Sequence, residues 1–318
     1  IQTEWNKNFL SFSEAKEIRE GKGFPGDGLH YSRGDVPWKK MEAICSKILP
    51  NWKYKSLNFS EWGRMLEENE PVLMGPAVEY FDGGIVVNER FETNVEGLYA
   101  AGECTLGPFG ANRVFAATTE MLVHGADAGE NAGEYAKDSK KVQPDQQVFK
   151  RLRQEAELPL SRKEGIHASQ VRKPMQEMAH KMLGPIRTQG ELQELIGFLE
   201  DIKKDKLPNL VTKSKSRLYN KEWIDSLELA NTVHVLEASA RSALARTESR
   251  GVHYREDFPQ TDNENWLLES IVELVDDDLK VSTRPAIITT HTPPKGIMPY
   301  MEMMKKMMDE HSDVTGAH

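Results

Sequence analysis

One run of residues constrains this chain more than any other: Gly97-Leu-Tyr-Ala-Ala-Gly-Glu-Cys-Thr-Leu-Gly-Pro-Phe-Gly-Ala-Asn-Arg113. Leu98 to Ala101 are apolar and bounded by Gly97 and Gly102, which predicts a short buried strand. Gly102, Gly107 and Gly110 let backbone approach a bound group closely. Arg113 is then predicted to open a helix, whose unpaired N–H groups and dipole favour negative charge. A strand, a glycine-rich turn and a helix start together make an anion site of the kind that holds a cofactor.

The stretch Gly75-Pro-Ala-Val-Glu-Tyr-Phe-Asp-Gly-Gly-Ile-Val-Val-Asn88 precedes that run. Gly83-Gly84 lets backbone come near a planar ligand, and Ile85, Val86 and Val87 read as a buried strand. Alone, such a glycine pair is a plain turn; a short loop before the glycine-rich run, it reads as part of a ligand cradle. The Arg113 guanidinium is a fork that matches a carboxylate, or a structural cap. Glu103 is placed to accept from ligand hydroxyls, or is a strand-end surface acid. The small residues after Arg113 leave helix N–H groups facing a ring oxygen that gains negative charge on reduction.

Composition narrows the function. A net charge of −9 over 318 residues lacks the excess of Lys and Arg that general nucleic-acid binding requires. Cys45 and Cys104 alone neither build a disulfide framework nor ligate an iron–sulfur cluster. Cys104 reads as a small buried residue, and the scattered histidines lack metal-ligand spacing, so no metal site is expected. No apolar run is long enough to cross a bilayer.

Residues 148–260 read as mostly helical. Met175, Met178 and Met182 share a face, as do Leu192, Leu195, Ile196 and Leu199. Leu229, Val233, Leu236, Ala240 and Ala243 make the seam of a packed bundle. Lys137 to Gln147 is a polar linker. Ser270-Ile-Val-Glu-Leu-Val and Leu279-Lys-Val-Ser-Thr flank an acidic turn and predict a β-hairpin. The Met-rich tail places Met301, Met304 and Met308 on one helical face. The motif Arg246-Thr-Glu-Ser-Arg-Gly-Val-His-Tyr-Arg-Glu-Asp-Phe-Pro259 mixes charges densely, which suits an ion-pair network docking the helical region onto another domain. Gly251 is read there as the stop of the preceding helix.

Gly97–Arg113, the Gly83-Gly84 strand and Arg246–Pro259 together resemble the succinate dehydrogenase/fumarate reductase flavoprotein subunit family. Glu17-Ile-Arg-Glu-Gly-Lys-Gly23 resembles the end of that family's capping domain, and Gly184-Pro-Ile-Arg-Thr188 its helical domain. The resemblance implies an α/β FAD-binding segment, incomplete because the Rossmann half is missing, then an α-helical bundle with a C-terminal β-hairpin. The expected division is 1–72 for the capping remainder, 73–136 for the FAD segment, 148–260 for the helical domain and 261–318 for hairpin and tail. Only the family's C-terminal half is matched, without its Gly-x-Gly-x-x-Gly fingerprint or the histidine that often attaches FAD. The chain also begins with Ile1, not Met. It is therefore expected to be a fragment, a cleaved product or one half of a split flavoprotein.

By resemblance FAD is the cofactor, lined by Gly83, Gly84, Glu103, Gly110, Ala111, Asn112, Ala116, Ala117 and Thr118. The family's substrate-clamping arginine falls on Arg113. Its clamping histidine falls on Glu79, and Phe109 stands where a second histidine is usual. The acid arginine falls near Lys7. A carboxylate at 79 opposes a dicarboxylate: two like charges about 4 Å apart cost roughly 4 kcal/mol at an effective dielectric near 20. Glu79 thus points to a substrate other than ordinary succinate or fumarate, unless it is protonated or paired with Arg113.

The resemblance implies hydride exchange between FAD and a small anionic substrate, with Arg113, Glu79 and Lys7 as catalytic residues. The implied partners are the missing N-terminal half and an iron–sulfur electron-transfer subunit; the implied location is the cytoplasm, or the cytoplasmic face of a membrane through partners. A non-catalytic electron-transfer or scaffold subunit is the alternative that Glu79 and Phe109 leave open.

Overall fold

The computed structural model describes residues 4–23, 28–48, 64–65, 67–78, 80–106, 113–140, 143–276, 278–288 and 293–312, with backbone alone at 4–8, 44–48, 113–116 and 307–312. The chain divides into two compact units, residues 9–78 and residues 1–8 with 79–318.

In the smaller unit, most of α1 (Glu4–Glu17) is followed by β1 (Leu29–Tyr31), α2 (Trp38–Ile48) and β2 (Val72–Met74). Strands β1 and β2 pair antiparallel, Leu29 opposite Met74 and Tyr31 opposite Val72. Tyr31 donates from its hydroxyl to Glu14, which ties the strand to α1.

The larger unit opens with the segment 80–106 and continues into α3 (Arg113–Asp138) and α4 (Gln146–Ser161). The polar stretch between these helices connects them, and Asp145 caps α4 by accepting from the N–H groups of Gln147 and Val148 at 2.8 and 3.3 Å. There follow α5 (Ala168–Met182), β3 (Ile186–Arg187), α6 (Gln189–Asp201) and α7 (Lys221–Ala245). Thr188 caps α6 and Asn220 caps α7 through their side-chain oxygens.

These helices close the core that their periodicity predicts. Leu192, Leu195, Leu199, Leu229, Val233 and Ala240 are fully buried, joined by Met175 and Met182. Glu237 lies inside the same face of α7 and is held by Lys203 at 2.8 Å and Arg241 at 2.9 Å. Buried charge of this kind is tolerated only when paired.

Strand β4 (Tyr254–Arg255) runs parallel to β3, Arg187 opposite Arg255. Strand β5 (Gln260–Asp262) pairs with β8 (Ile297–Pro299), which leads into α8 (Tyr300–Ser312). The predicted hairpin is present as β6 (Leu268–Val275) and β7 (Asp278–Pro285), in antiparallel register.

Five local readings change. Ile85 to Val87 and Leu98 to Ala101 are not buried strands. Each contributes a single bridge, Ile85 to Thr105 and Tyr99 to Glu92, while Ile85 is 48% and Leu98 52% exposed. Among the described residues no further strand flanks them, so the apolar pattern has no second layer to bury against. The α8 face that packs is Tyr300, Met303 and Met304, with Met301 exposed and the side chain of Met308 outside the described atoms. Strand β8 sets that face by fixing where α8 begins.

Gly251 does not stop α7, which ends at Ala245; its positive φ of 56° serves the tight turn Arg250–His253 instead. Cys104, finally, is exposed, because it lies on the outer side of the turn with Sγ toward the Ala101 carbonyl.

Candidate functional site

The glycine-rich run folds by backbone contacts. Gly102, at φ 78°, starts a single helical turn through Cys104, and Thr105 closes it. The Thr105 N–H and hydroxyl both donate to the Gly102 carbonyl, at 3.0 and 2.7 Å, with Thr105 buried. The Ile85 N–H donates to the Cys104 carbonyl at 2.8 Å, and the Leu106 N–H to the Ile85 carbonyl at 3.1 Å. Two pieces of chain distant in sequence are thereby laid side by side, and α3 packs on the turn.

The two glycines of the pair have different reasons. A Cβ at Gly84 would lie 2.5 Å from the Cys104 carbonyl oxygen, so only glycine allows the two backbones to meet. A Cβ at Gly83 would meet nothing within 4 Å. The close approach expected toward a ligand is thus, at Gly84, an approach to the turn itself. Gly83 alone faces open space.

Glu103 spends one carboxylate oxygen on the Phe81 N–H at 3.0 Å. Its other oxygen takes no hydrogen bond among the described residues. Ala117 is half-buried and Thr118 exposed at the start of α3. Gly83, Gly84 and Glu103 are therefore brought into one neighbourhood by the Ile85–Cys104 contact, and α3 packs on the same turn.

Gly110, Ala111, Asn112 and Glu79 lie outside the described residues, as does Phe109. Arg113 opens α3 as predicted, but its side chain and that of Ala116 are not among the described atoms. Lys7 falls within α1, with its side chain likewise outside.

The residues present suit a planar cofactor: an open glycine face, a carboxylate oxygen for a hydroxyl, and the N-terminal end of a helix. Sequence reasoning missed Glu120 on α3, which is buried, with a carboxylate oxygen 3.6 Å from His124 Nδ1. Their spacing of four along a helix was the available signal. Among the described residues no cluster of three or more His, Cys, Asp or Glu could hold a metal ion.

An open groove of about 460 Å³ lies elsewhere, between α6, α7 and the β6–β7 hairpin. It is lined by residues such as Ile196, Arg241, Leu244 and Leu279, and by none of the expected flavin contacts.

Arg246–Pro259 forms the ion-pair network its composition predicted, but its partners lie within the larger unit rather than on another domain. Arg246 and Arg250 share buried Glu248. The buried Arg255 pairs with Asp257 at 2.8 Å through both Nε and Nη2. Its Nη1 donates to the carbonyls of Ala243, Leu244 and Arg246, at 3.0, 3.1 and 3.0 Å, which satisfies the end of α7. The network therefore closes a helix terminus by contacts short in sequence.

Comparison with known proteins agrees with this construction. A model of the FAD binding domain matches residues 55–118, and one of the fumarate reductase flavoprotein C-terminal region matches residues 172–298. An uncharacterized FAD-dependent oxidoreductase of Methanocaldococcus jannaschii is 31% identical over 79% of this chain and 43% of its own length. One subunit of the fumarate reductase (CoM/CoB) of Methanothermobacter marburgensis is 30% identical over 77% of this chain and 43% of its own. The flavoprotein chain of Escherichia coli quinol fumarate reductase superposes with a TM-score of 0.78 at 26% identity, over 91% of this chain and 50% of that one.

Fold and family matches thus define a flavoprotein, of the class that binds FAD. Within that class, the chain belongs to the succinate dehydrogenase/fumarate reductase flavoprotein family, whose cofactor is FAD. It spans about half the length of the curated relatives it matches.

Proposed function

We propose that this chain is the C-terminal half of a flavoprotein oxidoreductase subunit that exchanges a hydride between FAD and a small anionic substrate. The observation that carries the reading is the backbone contact of Gly84 with Cys104–Thr105, which leaves Gly83 facing open space next to the turn on which α3 packs. Bound FAD supplies the two-electron chemistry. Gly83, Gly84, Glu103, Gly110, Ala111, Asn112 and the Ala116–Thr118 backbone hold it. Arg113 orients the substrate's anionic group, Glu79 makes a polar or acid–base contact, and Lys7 donates a proton.

The other half of the FAD-binding domain, in the same protein or a separate chain, completes the cradle. Ile85, Leu98 and Leu122, at 48%, 52% and 71% exposed, are the apolar surface it covers. Residues 1–72 serve as the remainder of a capping domain, and an iron–sulfur subunit relays electrons. Among the described residues no helix is long and apolar enough to cross a membrane. Association with the cytoplasmic face of a membrane then runs through partners.

Glu79 favours a substrate other than succinate or fumarate. The same residue, with Phe109, favours the second reading, a flavin-bearing scaffold without substrate chemistry. Mass spectrometry and an absorption spectrum of the native complex come first. Copurification of a polypeptide bearing the dinucleotide fingerprint, with flavin and iron–sulfur absorption, is the expected result; a colourless chain on its own would sink the reading. Turnover of fumarate or succinate would refute the role given to Glu79. A reducible flavin with no small-molecule turnover would select the scaffold.

A further inference from the structure

The cluster after α7 holds one charge that no carboxylate offsets among the described residues. Arg246 and Arg250 have Glu248, and Arg255 has Asp257. Arg187, beside Arg255 on the neighbouring parallel strand, makes no ion pair among the described residues. Two neutral acceptors hold its guanidinium instead. The Gly184 carbonyl accepts from Nε at 2.9 Å, and His253 Nδ1 lies 2.8 Å from Nη1.

Because Arg187 can only donate, Nδ1 accepts, and the imidazole proton is assigned to Nε2. Nε2 is buried and meets no hydrogen-bond partner among the described residues. Burial, then the charges of Arg187 and Arg246, keeps the ring neutral, with its pKa pushed down to about 3. Burial and Arg255 also push the Arg187 pKa down, to about 10, which leaves it charged at neutral pH.

A carbonyl and a neutral imidazole fix the orientation of a guanidinium without cancelling its charge. Nη2 is offered no acceptor among the described residues, and Arg187 stays partly open to solvent. The support behind it is rigid. A Cβ at Gly184 would sit 2.8 Å from the His180 carbonyl oxygen, so the residue that presents its carbonyl must be glycine. Arg250 and His253 exchange backbone hydrogen bonds of 2.8 and 2.9 Å across the Gly251 turn. The Tyr300 hydroxyl donates to the Gly251 carbonyl at 2.6 Å, which anchors that turn to α8.

We propose that Arg187 is the receptor of an oxyanion site that takes a carboxylate, with Gly184 and His253 as its positioning residues. The carboxylate belongs to a free small anion or to an acidic side chain of an adjoining chain; the chemistry of recognition is the same.

The test is calorimetric titration of sodium acetate, and of sodium sulfate as a divalent probe, into the protein purified with its partners in chloride-free buffer. A structure of the same complex accompanies it. Saturable binding that Arg187→Gln weakens at least about tenfold supports a free anion, since a charge-assisted hydrogen bond contributes that much. Arg187→Lys keeps the charge but loses the fork, and retains weakened binding; it carries the test if Arg187→Gln does not fold. His253→Asn weakens binding with the charge intact, which a purely structural role would not do. Absence of titratable binding, with an adjoining chain's carboxylate seated on Arg187 in the structure, supports the second source. Absence of binding with only water on Arg187 overturns the proposal.

Discussion

The flavin segment, residues 80–106 with α3, and the helical region from α4 to β5 belong to one unit but are held together differently. In the helical region the leucines of α6 and α7 are fully buried, and buried charges such as Glu237 and Arg255 meet several partners. In the flavin segment, backbone meets backbone at Gly84 and Cys104, while Ile85, Leu98 and Leu122 face outward. The first region carries its own hydrophobic driving force. The second presents a shape and leaves apolar surface for something else to cover.

The sharpest way to break this contrast is at Arg255. Arg255→Met leaves Asp257 without its ionic partner and the carbonyls of Ala243, Leu244 and Arg246 without its donor, and should cost about 3–5 kcal/mol in denaturant unfolding. A loss below about 1 kcal/mol would show that the end of α7 frays in solution and that the network is not what closes the core. Leu229→Ala comes next, at about 3 kcal/mol, because a fully buried leucine leaves a cavity.

Gly84→Ala is expected to cost about 1–3 kcal/mol through overpacking against the Cys104–Thr105 backbone. Its larger consequence is loss of bound flavin, read from the ratio of flavin to protein absorbance. Full flavin content in this variant would refute the claim that the backbone contact shapes the cradle.

The buried His253 gives the helical region a pH signature. Its native pKa, about 3, lies below the unfolded value near 6.5, so between them the unfolded chain binds a proton that the native one does not. Stability therefore falls as pH falls through that window, by up to about 1.4 kcal/mol per pH unit, and is unaffected above it. Thermal unfolding from pH 7 to 4 should show a slope that His253→Asn flattens; identical slopes would place the imidazole in water.

Leu122→Ala should have the smallest effect, within about 0.5 kcal/mol, since the side chain is 71% exposed. Leu122→Asp should nonetheless weaken association with the polypeptide that completes the FAD domain. Equal association by pull-down would remove α3 from that interface.

Much of the helical region was legible from its residues. Apolar spacing of three and four marked the buried faces of α5, α6 and α7, and alternating residues around an acidic turn marked the β6–β7 hairpin. Periodicity works there because each face packs on the next element of the same chain. It failed at Ile85–Val87 and Leu98–Ala101, where the same apolar signal is present but nothing described lies over it. It misassigned the α8 face as well, because strand β8 decides where that helix starts and so which side of it turns inward.

What the residues determined by themselves is local: helix periods, capping side chains, the glycine turn before Arg113 and the mixed charges of Arg246–Pro259. Those features depend on neighbours a few positions away, so short-range sterics and hydrogen bonding specify them. Tertiary structure alone decided that Gly84 answers to Cys104, that Glu120 is buried, and that Arg187 finds only a carbonyl and an imidazole among the described residues. Burial and charge compensation are sums over everything that packs around a group, and most of that comes from distant parts of the chain.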